Sequence, residues 1–378
     1  MKKLVVFRAD ANQIMGIGHI MRCVTIADAF TLLGYQSIFL VRFLPNWVGD
    51  LVKAQGHELH HLKNISTKLS YIDDDIVANN YQEWLGCSWK KDAYDVLNYV
   101  MKLKPEYLVV DNYALDEKWE RVISEHVGKL IVIDDLANRR HYCDYLIDQN
   151  LGRNEVDYCN LVPSSTLNLV GPRYAILKPE FKLCRTFSLE RRKSFQLKSV
   201  LLSIGGFDNQ DITSVVIECL ELVPEFKDIL INIVLSSESQ YFKKVNKKVN
   251  STQLNINIFS DINNISELMA NADLSIGAAG TTSWERCCLG LPSIVFVVAD
   301  NQVDIAEALS THNAAIVIKS IDLKVAFINQ VKMLLSNKKI LRELSSNAAE
   351  IVDGLGVFRI IQTILGEELN EDFINVYG

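Results

Sequence analysis

Short apolar, β-branched runs alternate along this chain with longer stretches in which apolar residues recur every three or four positions. Runs at 4–7, 37–41, 107–110, 130–133 and 145–147 have the length and bounding residues of buried strands. Between the first two, Ile20, Val24, Ala27, Phe30 and Leu33 fall at helical spacing, and the pattern stops at Gly34, a residue suited to a left-handed cap. The spacing predicts a helix over 20–33 and therefore a β-α-β opening. After residue 199 the alternation restarts, with strands expected at 200–204, 229–235, 256–259, 274–276, 293–298 and 315–318. Between the halves, residues 182–198 lose their period and turn basic around Arg191, Arg192 and Lys193, which reads as a solvated linker. The pattern predicts an α/β protein of two Rossmann-like domains, 1–190 and 191–378, with a cleft between them. Strand-helix-strand units favour parallel sheets, whose ligands sit beyond the C-terminal strand ends.

Composition narrows the partners. A chain of 378 residues is too long for one ordinary core, and 49% hydrophobic against 22% charged residues leaves no part that reads as disordered. A net charge of −7 argues against nucleic acid. The eight cysteines lack paired metal spacing and read as reduced core thiols. Only four apolar residues follow Lys3 before Arg8 and Asp10, so the start reads as a strand rather than a signal peptide. No run approaches the roughly 18–20 apolar residues of a membrane helix. A cytoplasmic protein without membrane association is expected.

The candidate chemistry falls at strand-to-helix junctions. After the first strand, Gly16, Ile17 and Gly18 form a glycine turn that delivers His19 to a strand edge, where a neutral imidazole can take a proton. The third glycine of a dinucleotide fingerprint is missing, with Arg22 and Cys23 in its neighbourhood, which disfavours NAD. In the second half, Gly277, Ala278, Ala279, Gly280, Thr281 and Thr282 feed a helix, offering amides and hydroxyls to a diphosphate, with Glu285 placed to accept ribose hydroxyls. Gly205 and Gly206, followed by Asp208, form a third junction. Tyr113, after Asp111 and Asn112, and Asn301 with Gln302, after Asp300, supply polar groups at two further strand ends. Plain turns and helix caps are the competing reading at each of these positions.

Two tempting clusters are set aside. Asp73, Asp74 and Asp75 follow no buried strand and read as a solvated loop. His57, His60 and His61 surround Glu58 without a further ligand at metal spacing. No metal and no cofactor is expected.

Taken together, Arg8-Ala9-Asp10-Ala11, Gly16-Ile17-Gly18-His19-Ile20-Met21-Arg22-Cys23, Asp148-Gln149-Asn150-Leu151-Gly152 and Gly171-Pro172-Arg173-Tyr174 resemble the nucleotide-sugar hydrolases of pseudaminic acid synthesis. Gly205-Gly206, Ile276-Gly277-Ala278-Ala279-Gly280, Trp284-Glu285-Arg286-Cys287-Cys288-Leu289-Gly290-Leu291-Pro292, Ala299-Asp300-Asn301-Gln302 and Asp353-Gly354-Leu355-Gly356 continue the resemblance in family order. It implies metal-independent hydrolysis of UDP-2,4-diacetamido-2,4,6-trideoxy-β-L-altropyranose to UDP and the free sugar, on a fold similar to two-domain GT-B glycosyltransferases. By the same resemblance His19 matches the catalytic histidine, Tyr113 an active-site tyrosine, and residues 277–282 with Glu285 the UDP-binding segment. Ile17 departs from the family's preference for a small or hydroxyl residue. The tail beyond residue 365 is too short for the acetyltransferase fused to some relatives, so a single step is expected.

The expected partners are a UDP-sugar and water, with His19 activating the water. Two other readings stay open: a glycosyltransferase in which an acceptor hydroxyl replaces water, and a nucleotide-sugar-binding regulator that binds without turnover. Release of UDP without an acceptor separates the three.

Overall fold

The computed structural model describes residues 3–63, 81–194, 196–262, 264–319, 323–366 and 369–378. They form two compact units, one of residues 1–176 with 357–378 and one of residues 177–356.

In the first unit, strands β1 (Leu4–Ala9), β2 (Gln36–Val41), β3 (Glu58–His61), β4 (Tyr107–Asp111), β5 (Lys129–Ile133), β6 (Tyr145–Asp148) and β7 (Leu167–Val170) pair in parallel in the order β3-β2-β1-β4-β5-β6-β7. A parallel sheet needs cover on both faces, and the alternation along each strand supplies it. Val5, Phe7 and Ala9 turn to one face, packing with Ile20, Val24 and Ala27 of the helix Gly18–Leu32. Leu4 and Val6 turn to the other, packing with Val96 and Val100 of the helix Trp89–Leu103 and with Trp119. Gly34 stands just past the first helix at φ +83°, as its cap pattern predicts. The order reverses between β1 and β4, so the C-terminal ends of these neighbours flank the topological switch point.

The second unit repeats the scheme with β8 (Ser199–Ser203), β9 (Leu230–Val234), β10 (Asn255–Phe259), β11 (Leu274–Ala278), β12 (Ser293–Phe296) and β13 (Ile316–Ile318), ordered β10-β9-β8-β11-β12-β13 and all parallel. Val200, Ile231, Ile276, Ile294 and Phe327 lie in its core. Here the switch point falls between β8 and β11, where Gly277 pairs with Ser203.

The unit boundary differs from the one expected near residue 190. The chain passes to the second unit at Leu177, and residues 357–378 rejoin the first, burying Ile360, Ile361 and Phe373 in its core. The basic stretch is no solvated linker. It is largely the helix Pro179–Arg191, and its guanidinium groups serve helix ends. Arg185 donates to the carbonyls of Ala349, Val352 and Cys288. Buried Arg192 donates to those of Met269, Ala272, Ser188 and Leu289. Carbonyls at helix C-termini lack intrahelical partners and carry the negative end of the dipole, which explains the attraction. All eight cysteines are free. Cys159 is exposed, and Cys87 and Cys184 are half-buried, so not all are core thiols.

Candidate functional site

The first unit gathers its polar residues at the switch point. The turn before the first helix is closed by Gly16, whose N–H donates to the Asn12 carbonyl at 2.9 Å with φ +75°. Gly18 then opens the helix Gly18–Leu32, which sets His19 in its first turn, facing the end of β4. His19 does not cap its helix. Its Nδ1 lies 2.6 Å from Oδ1 of Asp111, the last residue of β4. Asp111 is buried and also accepts from Arg22, at 2.5 Å from Nε and 2.8 Å from Nη2. Despite burial, Arg22 and His19 hold the Asp111 carboxyl below its usual range. An ionised acceptor places the proton on Nδ1 and leaves the lone pair on Nε2. Nine percent of the His19 side chain stays exposed, enough to present that edge to a ligand.

A second shared carboxylate fixes Tyr113. Asp135, following β5, accepts from the Tyr113 hydroxyl at 2.5 Å, from Arg22 at 2.6 and 3.0 Å, and from Asn150 at 3.4 Å. Burial, then Asp135, pushes the Tyr113 phenol well above its ordinary value, so it acts as a donor. Its ring meets the His19 ring edge-on at 4.6 Å. Two further aromatics complete this face: Trp84 lies 5.5 Å from Tyr113 and 5.9 Å from His19, and Tyr81 lies 5.1 Å from Tyr113.

At the switch point of the second unit, β11 carries Gly277 and Ala278 into Ala279, Gly280 and Thr281, and the helix Thr282–Cys288 follows. Only glycine fits at 277, since a Cβ would overlap the Arg286 guanidinium and lie 2.8 Å from the Ser203 carbonyl oxygen. Arg286 donates to the Ala278 carbonyl at 2.7 Å and to Ser283 Oγ at 2.9 Å, drawing that carbonyl inward. The Ala279 amide is taken by the Phe296 carbonyl, so it is not open to an anion as expected. Among the described residues, the amides of Gly280, Thr281 and Thr282 have no acceptor, and Thr281 does not cap the helix. Glu285 is half-buried, and burial pushes its carboxyl up to about 7 against the pull of Arg286 and Lys178.

Gln302 belongs to the same group. Its Oε1 accepts from the Val298 amide, and its Nε2 lies 3.7 Å from where a Cβ of Gly280 would stand. Asn301 is half-buried in the short turn Asp300–Gln302. Gly205, at φ +108°, follows β8 beside this loop, and the Gly206 carbonyl accepts from Ser236. Asp208 caps the helix Ile212–Glu221 through the amides of Ile212 and Thr213. His57 pairs with Asp28 at 2.9 Å, and His60 lies 3.6 Å from Glu58. Among the described residues no three His, Cys, Asp or Glu side chains are grouped to hold a metal ion. Asp73, Asp74 and Asp75 lie outside the described residues. No helix of the described residues is long and apolar enough to cross a membrane.

Comparison with known proteins extends this picture. Residues 200–355 match the glycosyltransferase family 28 C-terminal domain. A Campylobacter jejuni protein named UDP-2,4-diacetamido-2,4,6-trideoxy-beta-L-altropyranose hydrolase is 24% identical, over 73% of this chain and 85% of its own. The Methanocaldococcus jannaschii protein MJ1062 is 28% identical over 76% of this chain, which spans about half, 54%, of that relative's length. The crystal structure of Acinetobacter baumannii MurG superposes with a TM-score of 0.66 at 15% identity, covering 96% of this chain and 99% of that one. The fold is GT-B, and the resemblance to the hydrolase family is borne out.

Within this GT-B fold, the structure brings His19 together with Tyr113 in one unit, and Gly277, Gly280 and Glu285 together with Gly205 and Gln302 in the other. Sequence reasoning missed Asp111 as the partner of His19, and Arg22 and Asp135 as the frame of Tyr113. One signal was present: Asp111 and Asp135 both stand at strand ends. Nothing in the sequence marked Trp84.

Proposed function

We propose that this protein hydrolyses UDP-2,4-diacetamido-2,4,6-trideoxy-β-L-altropyranose to UDP and the free sugar, with His19 as general base. The observation that carries the reading is the 2.6 Å contact between His19 Nδ1 and the ionised Asp111, which leaves Nε2 as the basic atom at a strand-end site. A water oxygen held by Nε2 attacks the anomeric carbon on the face opposite UDP and passes its proton to Nε2. The bond from that carbon to the diphosphate oxygen breaks, and its electron pair leaves with UDP. Configuration at the carbon inverts. Tyr113, whose hydroxyl is oriented by Asp135, borders the base. Gly16 and Gly18 let the first turn approach the sugar closely.

In the second unit the open amides of Gly280, Thr281 and Thr282 take the diphosphate and stabilise its growing charge. Glu285 accepts ribose hydroxyls, Asn301 and Gln302 address the sugar, and the turn at Gly205 and Gly206 leaves room for phosphate. Support for UDP comes from the similarity to the C. jejuni hydrolase. No metal or cofactor enters the scheme, and the site is that of a small-molecule enzyme.

A second reading is favoured by the family 28 match: a transferase in which an acceptor hydroxyl replaces water at His19. Incubation with the UDP-sugar in EDTA, followed by NMR, separates the two. Free sugar and UDP without an acceptor are expected, and their absence with substrate bound would turn the assignment to a transferase or a binding protein. His19→Ala is expected to slow turnover by about 10²- to 10⁴-fold.

A further inference from the structure

We propose that Trp84, with Tyr81, forms a sugar subsite that receives the apolar face of the substrate's deoxyhexose beside His19. The inference rests on the hydrolase reading and names a part of the same site that the reading does not use. Tyr81 and Trp84 are three residues apart at the short helix Gln82–Leu85, so both rings lie on one side of it. That side faces the catalytic dyad. The two rings meet at 4.7 Å, Trp84 stacks on Tyr113 at an interplanar angle of 25°, and it meets His19 edge-on at 76°.

The segment is held from behind. Leu85 is buried in the core, and Gly86 follows at φ +67° with Phe43 so close that a Cβ would overlap its ring. Tyr113 and His19 are nearly covered, whereas Trp84 and Tyr81 are half-buried. The outer surface of the four-ring cluster is therefore made by the two residues from this segment.

The bland alternative is an outlying piece of core. Two observations argue against it. The indole N–H of Trp84 makes no hydrogen bond with the described residues and is not a buried orphan, unlike the indole N–H of Trp47 and Trp284. By contrast, Trp119, a core tryptophan of the same unit, donates its N–H to Asp92. An exposed aromatic face beside an open donor suits a pyranose whose C–H bonds and C6 methyl group stack on the ring while an N-acyl oxygen accepts from the indole. The ligand class is thus a deoxygenated, N-acylated hexose.

The test compares wild type, Trp84→Ala and Trp84→Phe, using calorimetric affinities for UDP and for the UDP-sugar at pH 7, plus steady-state kinetics. In Trp84→Ala the UDP-sugar is expected to bind about 3- to 10-fold more weakly and KM to rise accordingly, with UDP affinity unchanged. Trp84→Phe is expected to retain most of the stacking. Wild-type tryptophan emission is expected to shift on adding the UDP-sugar but not UDP, and the shift to vanish in Trp84→Phe. An unchanged UDP-sugar affinity in Trp84→Ala, or a shift that persists in Trp84→Phe, overturns the subsite. The emission comparison decides the matter if Trp84→Ala does not fold. Wild type that binds UDP and the UDP-sugar equally well would instead remove this sugar as the substrate, a failure of the hydrolase reading that the UDP arm distinguishes.

Discussion

Replacing Asp111 by asparagine changes one atom and removes the direction of the dyad. In the native site Asp111 offers two acceptor oxygens, one shared by His19 Nδ1 at 2.6 Å and Arg22 Nη2 at 2.8 Å, the other taken by Arg22 Nε at 2.5 Å. Asparagine has one oxygen, and Arg22, which has no acceptor capacity, claims it. The amide nitrogen then faces His19, whose Nδ1 must accept, so the proton moves to Nε2 and the base is lost. A fall in kcat of about 10²- to 10⁴-fold is expected, the full worth of a general base. Breaking a buried ion pair costs about 3 kcal/mol at the low end of the usual range. The low end applies because Asp135 still holds Arg22 at 2.6 and 3.0 Å. UDP release at saturating UDP-sugar reads the rate, a urea transition reads the stability, and UDP affinity should not move. Because Asp111 and His19 act as one unit, the double variant with His19→Ala should be no slower than His19→Ala alone. An Asp111→Asn enzyme within about threefold of wild type, correctly folded, refutes the dyad.

Three further outcomes follow from the same geometry. Gly277→Ala forces a methyl group against the Arg286 guanidinium and the Ser203 carbonyl, so it should cost about 1–3 kcal/mol in a urea transition and weaken UDP binding measured by calorimetry. Burial raises the Glu285 carboxyl to about 7, and a carboxylate accepts ribose hydroxyls best when ionised. UDP affinity should therefore climb by up to about tenfold between about pH 6 and 8 in wild type and stay flat in Glu285→Gln. Against burial, Glu120 and Asp134 raise buried His141 to about 9, so its stabilisation is complete below its ordinary 6.5 and is lost as pH rises through 9. Burial, then Asp135 and Asp134, raises Asp148 to about 8, and its stabilisation fades with rising pH over an overlapping window. Urea midpoints should fall from pH 6.5 to 9, with His141 alone accounting for a change on the order of 3 kcal/mol, and a midpoint that rises instead contradicts both assignments.

In the first unit the strands that sequence reading placed are the inner ones, buried on both faces, because continuous β-branched runs report double burial directly. Its outermost strands escaped: Glu58–His61 and Leu167–Val170 carry polar residues at positions an inner strand would fill with valine or isoleucine, whereas the outermost strands of the second unit, Asn255–Phe259 and Ile316–Ile318, were legible from their isoleucines although half-exposed. His19 and Tyr113 were legible because each follows a strand. Their partners were not, since His19 and Asp111 are 92 residues apart and meet only because Ala9 pairs with Asp111 across β1 and β4. Charge misled at Arg185 and Arg192. A cluster of guanidinium groups looks solvated in sequence, and only the placement of the helix ends reveals the carbonyls that receive them. Trp84 was silent because a four-residue helix has no periodicity to read.

The return of residues 357–378 to the first unit sets an order of events during synthesis. Residues 177–356 are continuous, so that unit can close as soon as it has emerged from the ribosome. The first unit is interrupted and stays open on one face until Ile360, Ile361 and Phe373 arrive. The unit begun first is thus completed second, and the helix that carries His19 waits on residues 357–378 for part of its supporting core.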